Sequence, residues 1–544
     1  MRTPIPYLRS PGLVRFSAPL VGLLLLVLST LFVSCSGGSS GSGDARAVKA
    51  RPGGPRLTVL FAVCTLNKDY LSPYNPEVRY TPTFEQIASA GLVFDRHQTE
   101  AGQSGTSYAS LFSGCQADAH KVYTHPTRLD DGLYLMAEAF RDSGWIPWYW
   151  YGHPMADPKH NYGQGVAPEH LVNFKTRNPN ISRLTPRDPD LVALLDQLAA
   201  DPEMHAEVTI NFSYTHGPYT EGRTPAAFKK LKKDFPEEVP FTYDEMEHWM
   251  KVWEKDRLQL QWNFVETKER VGLSDEDVAS IATAIEIAYK SGIYMLDQQL
   301  AWFMKTVQNK GLLDELCLAF TADHGQVLFR ESATFQWTHG LQLAPEVLNV
   351  PMIVYAPKLI QPGRYPGVSR SIDVYPTLAG LSGIELSGVA PVYGVDLSEA
   401  LLGNEPPPDL VAFSHSTTIN PTMFDRTREW TCFHELFPTP EAESLWVGAR
   451  RGDLYYKWRS HPDRTWSAEV FDLAADRDER INLYDASNKE HVQMVRDLQT
   501  YKDNLVRGFS NEEIPESALD DLQNLGYTEG DEEEDGTSTP EGSK

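Results

Sequence analysis

The chain has 544 residues, 41% hydrophobic and 23% charged, with 49 basic against 74 acidic side chains and a formal net charge of −25. That length accommodates one large domain plus a smaller one with a substantial core. The balance excludes a nucleic-acid binder, because no basic stripe exists to neutralise phosphates.

The first 35 residues read as a targeting segment. Arg2, Arg9 and Arg15 precede the apolar run "APLVGLLLLVLSTLFVSC", with the small Ser34 just before Cys35. This order resembles a bacterial lipoprotein signal, and it makes Cys35 the lipidation site of an exported, membrane-tethered protein. Residues 36–56 include "SGGSSGSGDARA", a flexible linker. The body is expected over 57–404, a smaller unit over 405–510 and an acidic disordered tail over 511–544.

Within the body, helices and strands alternate. "LTVLFAVCTL" is a β-branched apolar run suited to a strand buried on both faces. "TPTFEQIASAGLVF" reads as a helix opened by Pro82, stopped at Gly91 and followed by a strand. "LYLMAEAFRDSGWIPWYWYG" repeats the pattern, as does "DLVALLDQLAA" with "AEVTINFSYTH". From Pro225 to about Lys290 a charged, tryptophan-bearing helical insertion breaks the rhythm. "YMLDQQLAWFMKTVQNKGLLDELCLAFTADHG" then gives a helix, a Gly311 stop and a strand. The expected fold is α/β, a mostly parallel sheet sandwiched by helices, with a smaller C-terminal α+β unit.

Ligands of such sheets bind beyond the carboxyl ends of the strands. Four of those ends carry polar or nucleophilic groups: Cys64, the segment "AGQSGTSYASLFSG", His216, and the pair Asp323–His324. Adjacent carboxylate and imidazole supply oxygen and nitrogen ligands for a divalent cation. Gly325 is expected to let the backbone turn there. Cys64, Cys115, Cys317 and Cys432 are spread widely without a C-x-x-C pair, so sequence assigns no disulfide.

"FTADHG" resembles the C-terminal metal motif of the sulfatase family, within the alkaline phosphatase superfamily. In order along the chain, "TPTFEQIASAGLVFDRHQTEAGQSGTSYASLFSG", "THGPY", "GIYMLDQQLAWFMKTVQNKGLLDE", "HGLQLAPEVLNVPMIVYAP", "SIDVYPTLAGLSGI" and "EVFDLAADRDERINLYD" resemble further elements of that family. The resemblance implies a metal-dependent hydrolase or transferase of sulfate or phosphate esters. Its frame, a serine three residues on and a glycine ten residues on, puts the nucleophile at Ser104, with Thr106 as runner-up. It also implies one divalent cation (calcium, magnesium or zinc) at Asp323, His324 and Cys64, and supporting roles for His216, His153 and His339. Substrates would be sulfated or phosphorylated small molecules, glycans or lipid headgroups.

Three departures from the family pattern stand out. The maturation signal that converts a Cys or Ser to formylglycine needs a proline and an arginine where Thr106 and Tyr108 stand. Cys64 and Thr65 occupy the place of the first-strand metal aspartates, and a thiolate suits zinc better than calcium or magnesium. His153 stands where a lysine is usual. Asp297 lies near a second-metal ligand position, but Ala301 replaces the accompanying histidine, so at most one metal is expected. A surface-anchored binding protein that keeps the fold without catalysis is the alternative reading.

Overall fold

A computed structural model describes residues 49–123, 128–174, 188–330, 333, 335–386, 391–416, 446–460 and 465–508. The targeting segment with Cys35, most of the linker, Cys432 and the acidic tail lie outside the described residues.

Eight strands form the main sheet: β1 (Leu57–Val63), β2 (Leu92–Gln98), β3 (Ile146–Tyr151), β4 (Leu171–Asn173), β5 (Ala206–Phe212), β6 (Leu316–Ala322), β7 (Met352–Tyr355) and β8 (Gly363–Arg370). Their order is β4-β3-β5-β1-β6-β7-β2-β8. All neighbours run parallel except at β7, which is antiparallel to both β6 and β2. β2 therefore runs in the same direction as β6, and the carboxyl ends of β1, β2, β3, β5 and β6 share one edge.

Every residue of β1, β5 and β6 is buried, which is why these strands read as unbroken apolar runs rather than alternating ones. On one face Phe61 meets Phe212 (5.2 Å between ring centroids), Phe320 (5.9 Å) and Phe303 (6.3 Å), the last from the Asp275–Asn309 helix. On the other, Leu60, Ala62 and Ala319 join a cluster with Tyr108 and Leu111 of the Ser104–Ser113 helix and Leu378 of the Ser371–Ser382 helix.

The insertion contains helices Pro225–Asp234, Tyr243–Lys255, Arg257–Trp262 and Phe264–Val271. The next helix begins already at Asp275 and runs unbroken for 35 residues to Asn309, so no element boundary falls near Lys290. Ser274 and Asp277 close its start as a capping box.

Four antiparallel strands, β9 (Ala412–His415), β10 (Val447–Arg451), β11 (Leu454–Ser460) and β12 (Trp466–Asp472), make a second sheet in the order β12-β11-β10-β9. Helix Lys489–Gly508 covers it through Met494, Leu498, Tyr501 and Leu505. The sheet is tied to the main body where the His415 N–H donates to the Glu100 carbonyl at 2.9 Å. Among the described residues no helix is long and apolar enough to cross a membrane.

Candidate active site

The strand register sets the site. Val63 is level with Phe212 on one side and Ala322 on the other, so Cys64 and Asp323 emerge side by side. Two backbone bonds continue the ladder: the Asp323 N–H donates to Val63 O (3.0 Å) and the Leu66 N–H to His324 O (2.9 Å). Thr65 holds a left-handed φ of 60°, unusual for a β-branched residue. Its N–H donates to Asp323 Oδ1 at 2.9 Å, and the His324 N–H donates to the same oxygen at 2.6 Å.

Gly325 has a different reason from the one expected. Its φ is not positive. An added Cβ would meet the Glu346 carbonyl oxygen at 2.0 Å, and the Gly325 N–H donates to Val347 O at 2.7 Å. Space, rather than turn geometry, demands glycine here.

Ser104 is the first residue of its helix and is buried. Its Oγ lies 3.1 Å from His324 Nε2 and 3.5 Å from Cys64 Sγ. The His324 Nδ1–H donates to Gly325 O at 2.9 Å, which leaves Nε2 as the basic nitrogen facing the hydroxyl. The first N–H groups of a helix have no intrahelical acceptor, so this helix start can receive negative charge beside Ser104. Thr106 is equally buried, but its Oγ1 has no hydrogen-bond partner.

Cys64, Asp323 and His324 place one ligand atom each within 4.8 Å of one another. Asp323 Oδ1 is satisfied, but Oδ2 is buried without a hydrogen-bond partner and stands 3.6 Å from His324 Nε2. A buried carboxylate oxygen facing other donor atoms is what a divalent cation requires, so these residues fit one. Burial first, and the Asp323 carboxylate second, push the Cys64 thiol above its ordinary value.

The three further histidines gather around this cluster. The ring of His339 lies 4.2 Å from that of His324 and 5.3 Å from that of His216, and His216 is 6.5 Å from His153. Their tautomers differ. His339 donates from Nδ1 to Gly102 O (2.8 Å) and His216 from Nδ1 to Gly217 O (2.6 Å), so each carries its lone pair on Nε2. His153 Nδ1 instead accepts from the Met155 N–H (3.2 Å), so its proton sits on Nε2. Burial lowers His216 to about 4, so it is neutral near pH 7.

The seven residues expected for the site, four from strand ends and the rest from the resemblance, lie near one another, with Ser104 in direct contact with the ligand cluster and Thr106 making no hydrogen bond to it. Asp297 does not join them. Its Oδ1 accepts from the Thr83 and Phe84 N–H groups (2.8 and 3.1 Å) and its Oδ2 from Thr83 Oγ1 (2.8 Å). It caps the Pro82–Ser89 helix, whose own N-cap Thr81 provides no side-chain bond. Sequence reading missed Asn211, whose Oδ1 accepts from the N–H groups of Gly152 (2.9 Å) and His153 (3.2 Å), and Tyr219, bonded to Gln326 Nε2. Asn211 carries no local signal, since it acts on a neighbouring strand distant in sequence, whereas Tyr219 closes the "THGPY" element without standing out as a site residue.

The sequence model of the sulfatase family matches residues 57–384. The chain belongs to the sulfatase family. It is 27% identical over 310 residues to a choline-sulfatase of Rhizobium meliloti, an alignment covering 53% of this chain and 54% of that protein. It thus spans about half the length of that curated relative, and 41% of bovine arylsulfatase A at 28% identity over 222 residues. In fold it is similar to the phosphonate monoester hydrolase SpPMH from Silicibacter pomeroyi, with a TM-score of 0.58 and 18% identity, covering 85% of this chain and 98% of that one. Against this sulfatase background, the strand-tip positions of Cys64, Ser104 and Asp323–His324 coincide with the edge where ligands of α/β sheets bind.

Proposed function

We propose that the chain is a metal-assisted hydrolase of sulfate, phosphate or phosphonate esters with unmodified Ser104 as nucleophile. The observation that carries this reading is the placement of Ser104 Oγ at a buried helix start, 3.1 Å from His324 Nε2 and 3.5 Å from Cys64 Sγ. The relatives support the substrate class: one is named a choline-sulfatase, and one structural neighbour a phosphonate monoester hydrolase. A second neighbour, with a TM-score of 0.56 and 14% identity over 84% of this chain and 98% of its own, is BT4656 in complex with its substrate D-glucosamine-2-N,6-O-disulfate.

Cys64, Asp323 and His324 would hold the cation, which when bound lowers the pKa of an adjacent hydroxyl and polarises the ester. In the first half-reaction Ser104 Oγ would bond to the tetrahedral sulfur or phosphorus while the bond to the ester oxygen breaks, and the proton given up by the Ser104 hydroxyl would end on the departing oxygen, which leaves as the alcohol. The helix-start N–H groups and the Nε2–H of His153 hydrogen-bond the non-bridging oxygens. In the second, the oxygen of a water displaces Ser104 Oγ, and the neutral His216 Nε2 takes the water's proton and returns it to the departing serine oxygen, restoring the hydroxyl. A neutral His216 can accept a proton, and it brings no positive charge to the anionic ester.

Cell-surface placement through a lipid on Cys35 is part of the proposal. It rests on the order of basic residues, apolar run and small Ser34 before Cys35. The test combines metal analysis of the purified chain with turnover of aryl sulfate, phosphate and phosphonate esters. About one equivalent of divalent metal is expected, and Ser104→Ala should lower kcat by at least about a thousandfold. Unchanged turnover in Ser104→Ala would overturn the nucleophile. Absence of metal together with absence of turnover would favour the binding protein, a reading that the Cys64–Thr65 pair supports by removing carboxylates from strand 1.

A further inference from the structure

The seam between the two sheets holds more cations than it pairs. Lys68 lies on the loop after β1 and is half-buried. Asp95 and Arg96 belong to β2, Arg364 to β8, and Arg450 to β10 of the small sheet. The carboxylates beside them are each taken by an arginine: Asp453 by Arg96 at 2.7 Å, Asp95 by Arg364, and Asp69 by Arg477. Two cations are left without a carboxylate partner among the described residues. Arg450 is 4% exposed. Its Nε donates to Gly452 O at 3.0 Å, and its Nη1 to Gln98 Oε1 at 3.1 Å with that amide turned to satisfy both its ends. The Lys68 amine donates to Asp95 O at 2.7 Å and lies 5.4 Å from the centroid of the Tyr74 ring.

A buried guanidinium without a counter-ion is costly, and the neighbour that can shed its proton relieves part of that cost. Lys68 is lowered to about 7, first by burial and then by Arg450, with Arg477 and Arg364 acting in the same sense and Asp95 against them. About half of these amines therefore carry a free lone pair near neutrality. Burial lowers His97 to about 3 and the Lys68 charge lowers it further; its Nε2 is buried without a partner. We infer that Lys68 is a carbamate-forming site, where dissolved carbon dioxide adds to the amine and the product becomes the counter-ion of Arg450. The nitrogen lone pair bonds to the carbon of carbon dioxide, one carbon–oxygen π pair moves onto oxygen, and the nitrogen gives a proton to solvent. The side chain then carries a carboxylate where the cluster lacked one. Lys68 is four residues beyond Cys64, so the new ion pair would tie the loop leaving the candidate metal site to the small sheet. Nothing in this step depends on the ester chemistry proposed above.

The test is incubation of the purified full-length chain with carbon-13 bicarbonate, trapping of carbamates by ethylation with a trialkyloxonium salt, and mass spectrometry of the peptides. The Lys68 peptide should carry the trapped label, and the peptide with the exposed Lys229 much less. At equal dissolved carbon dioxide the Lys68 yield should rise by about tenfold or more from pH 6 to pH 8, as the amine loses its proton. Arg450→Gln, which removes the counter-ion, should lower the yield at pH 7 several-fold. Bicarbonate should also raise the urea midpoint of the parent and leave that of Lys68→Gln unchanged, because the adduct forms on the folded state. No label on the Lys68 peptide, or no more than on the Lys229 peptide, would overturn the inference. So would a yield indifferent to Arg450→Gln. The labelling of the parent is read without any substitution, so the inference can fail even where Arg450→Gln does not fold.

Discussion

Glu100 should make the stability of the protein fall as pH rises through neutrality. It follows β2 and is 4% exposed. Both carboxylate oxygens accept from the Ala117 N–H (3.0 Å each), Oε2 also from Ser110 Oγ (2.8 Å) and Oε1 from the Tyr501 hydroxyl (2.7 Å). These donors favour the anion, but burial outweighs them and pushes the carboxyl up to about 7 from its ordinary 4.5. A raised carboxyl contributes stability that is complete below pH 4.5 and is lost as pH rises through 7. The difference of about 2.5 pH units corresponds to about 3 kcal/mol. The buried neighbours His120 and His415, lowered by burial to about 3 and 4, lose stability in the opposite direction, as pH falls below the ordinary imidazole range. They are common to both proteins in a comparison with Glu100→Gln, which removes the carboxyl and keeps its shape. Urea unfolding between pH 5 and 8.5 should show the parent losing about 2.5 kcal/mol relative to the variant, since part of the loss already lies below pH 5. A parent–variant difference constant across that range would refute the reasoning. Because Tyr501 belongs to the helix over the small sheet, the lost stability should be felt first in how that sheet docks.

Other substitutions test other parts of the structure. Cys64→Asp should move the bound cation from zinc toward calcium, because a carboxylate replaces the sulfur donor; equilibrium dialysis against both ions reads it, and an unchanged preference counts against Cys64 as a ligand. Gly325→Ala should destabilise by about 3 kcal/mol or more, since its Cβ would meet the backbone oxygen of Glu346 at 2.0 Å; a urea midpoint like that of the parent would contradict the close approach. Asp297→Ala should cost about 1–2 kcal/mol by uncapping the Pro82–Ser89 helix while leaving metal content unchanged; loss of an equivalent of metal would restore it as a ligand.

The central sheet was legible because strands buried on both faces are written as continuous apolar runs, and their ends are marked where the run meets Cys64, His216 or Asp323. The direction of β7 was not, because four buried residues, Met352–Tyr355, carry the same pattern whichever way they run. The positions of Ser104 and of the Asp323–His324 pair could be named from their motifs. Residues that act through packing could not. Asp297 looks like a ligand by position and is a helix cap by geometry.

The departure at strand 1 can also be weighed physically. Replacing carboxylates by Cys64 and Thr65 removes negative charge, which on its face suits a protein that has abandoned the cation. A fold released from that duty has no reason to keep a costly arrangement, and leaving a buried polar oxygen unpartnered costs about 1–3 kcal/mol. Asp323 Oδ2 is such an oxygen, fully enclosed beside the nitrogen of His324 and near the sulfur of Cys64. Asparagine or leucine at 323 would relieve it, at the expense of the bonds from Thr65 and His324 that Oδ1 accepts. Those bonds explain one oxygen of the carboxylate and leave the other unexplained, whereas a cation shared with Cys64 and His324 accounts for both. The loss at strand 1 thus supports a change of metal more than its disappearance, because sulfur, nitrogen and one carboxylate form a zinc-like donor set.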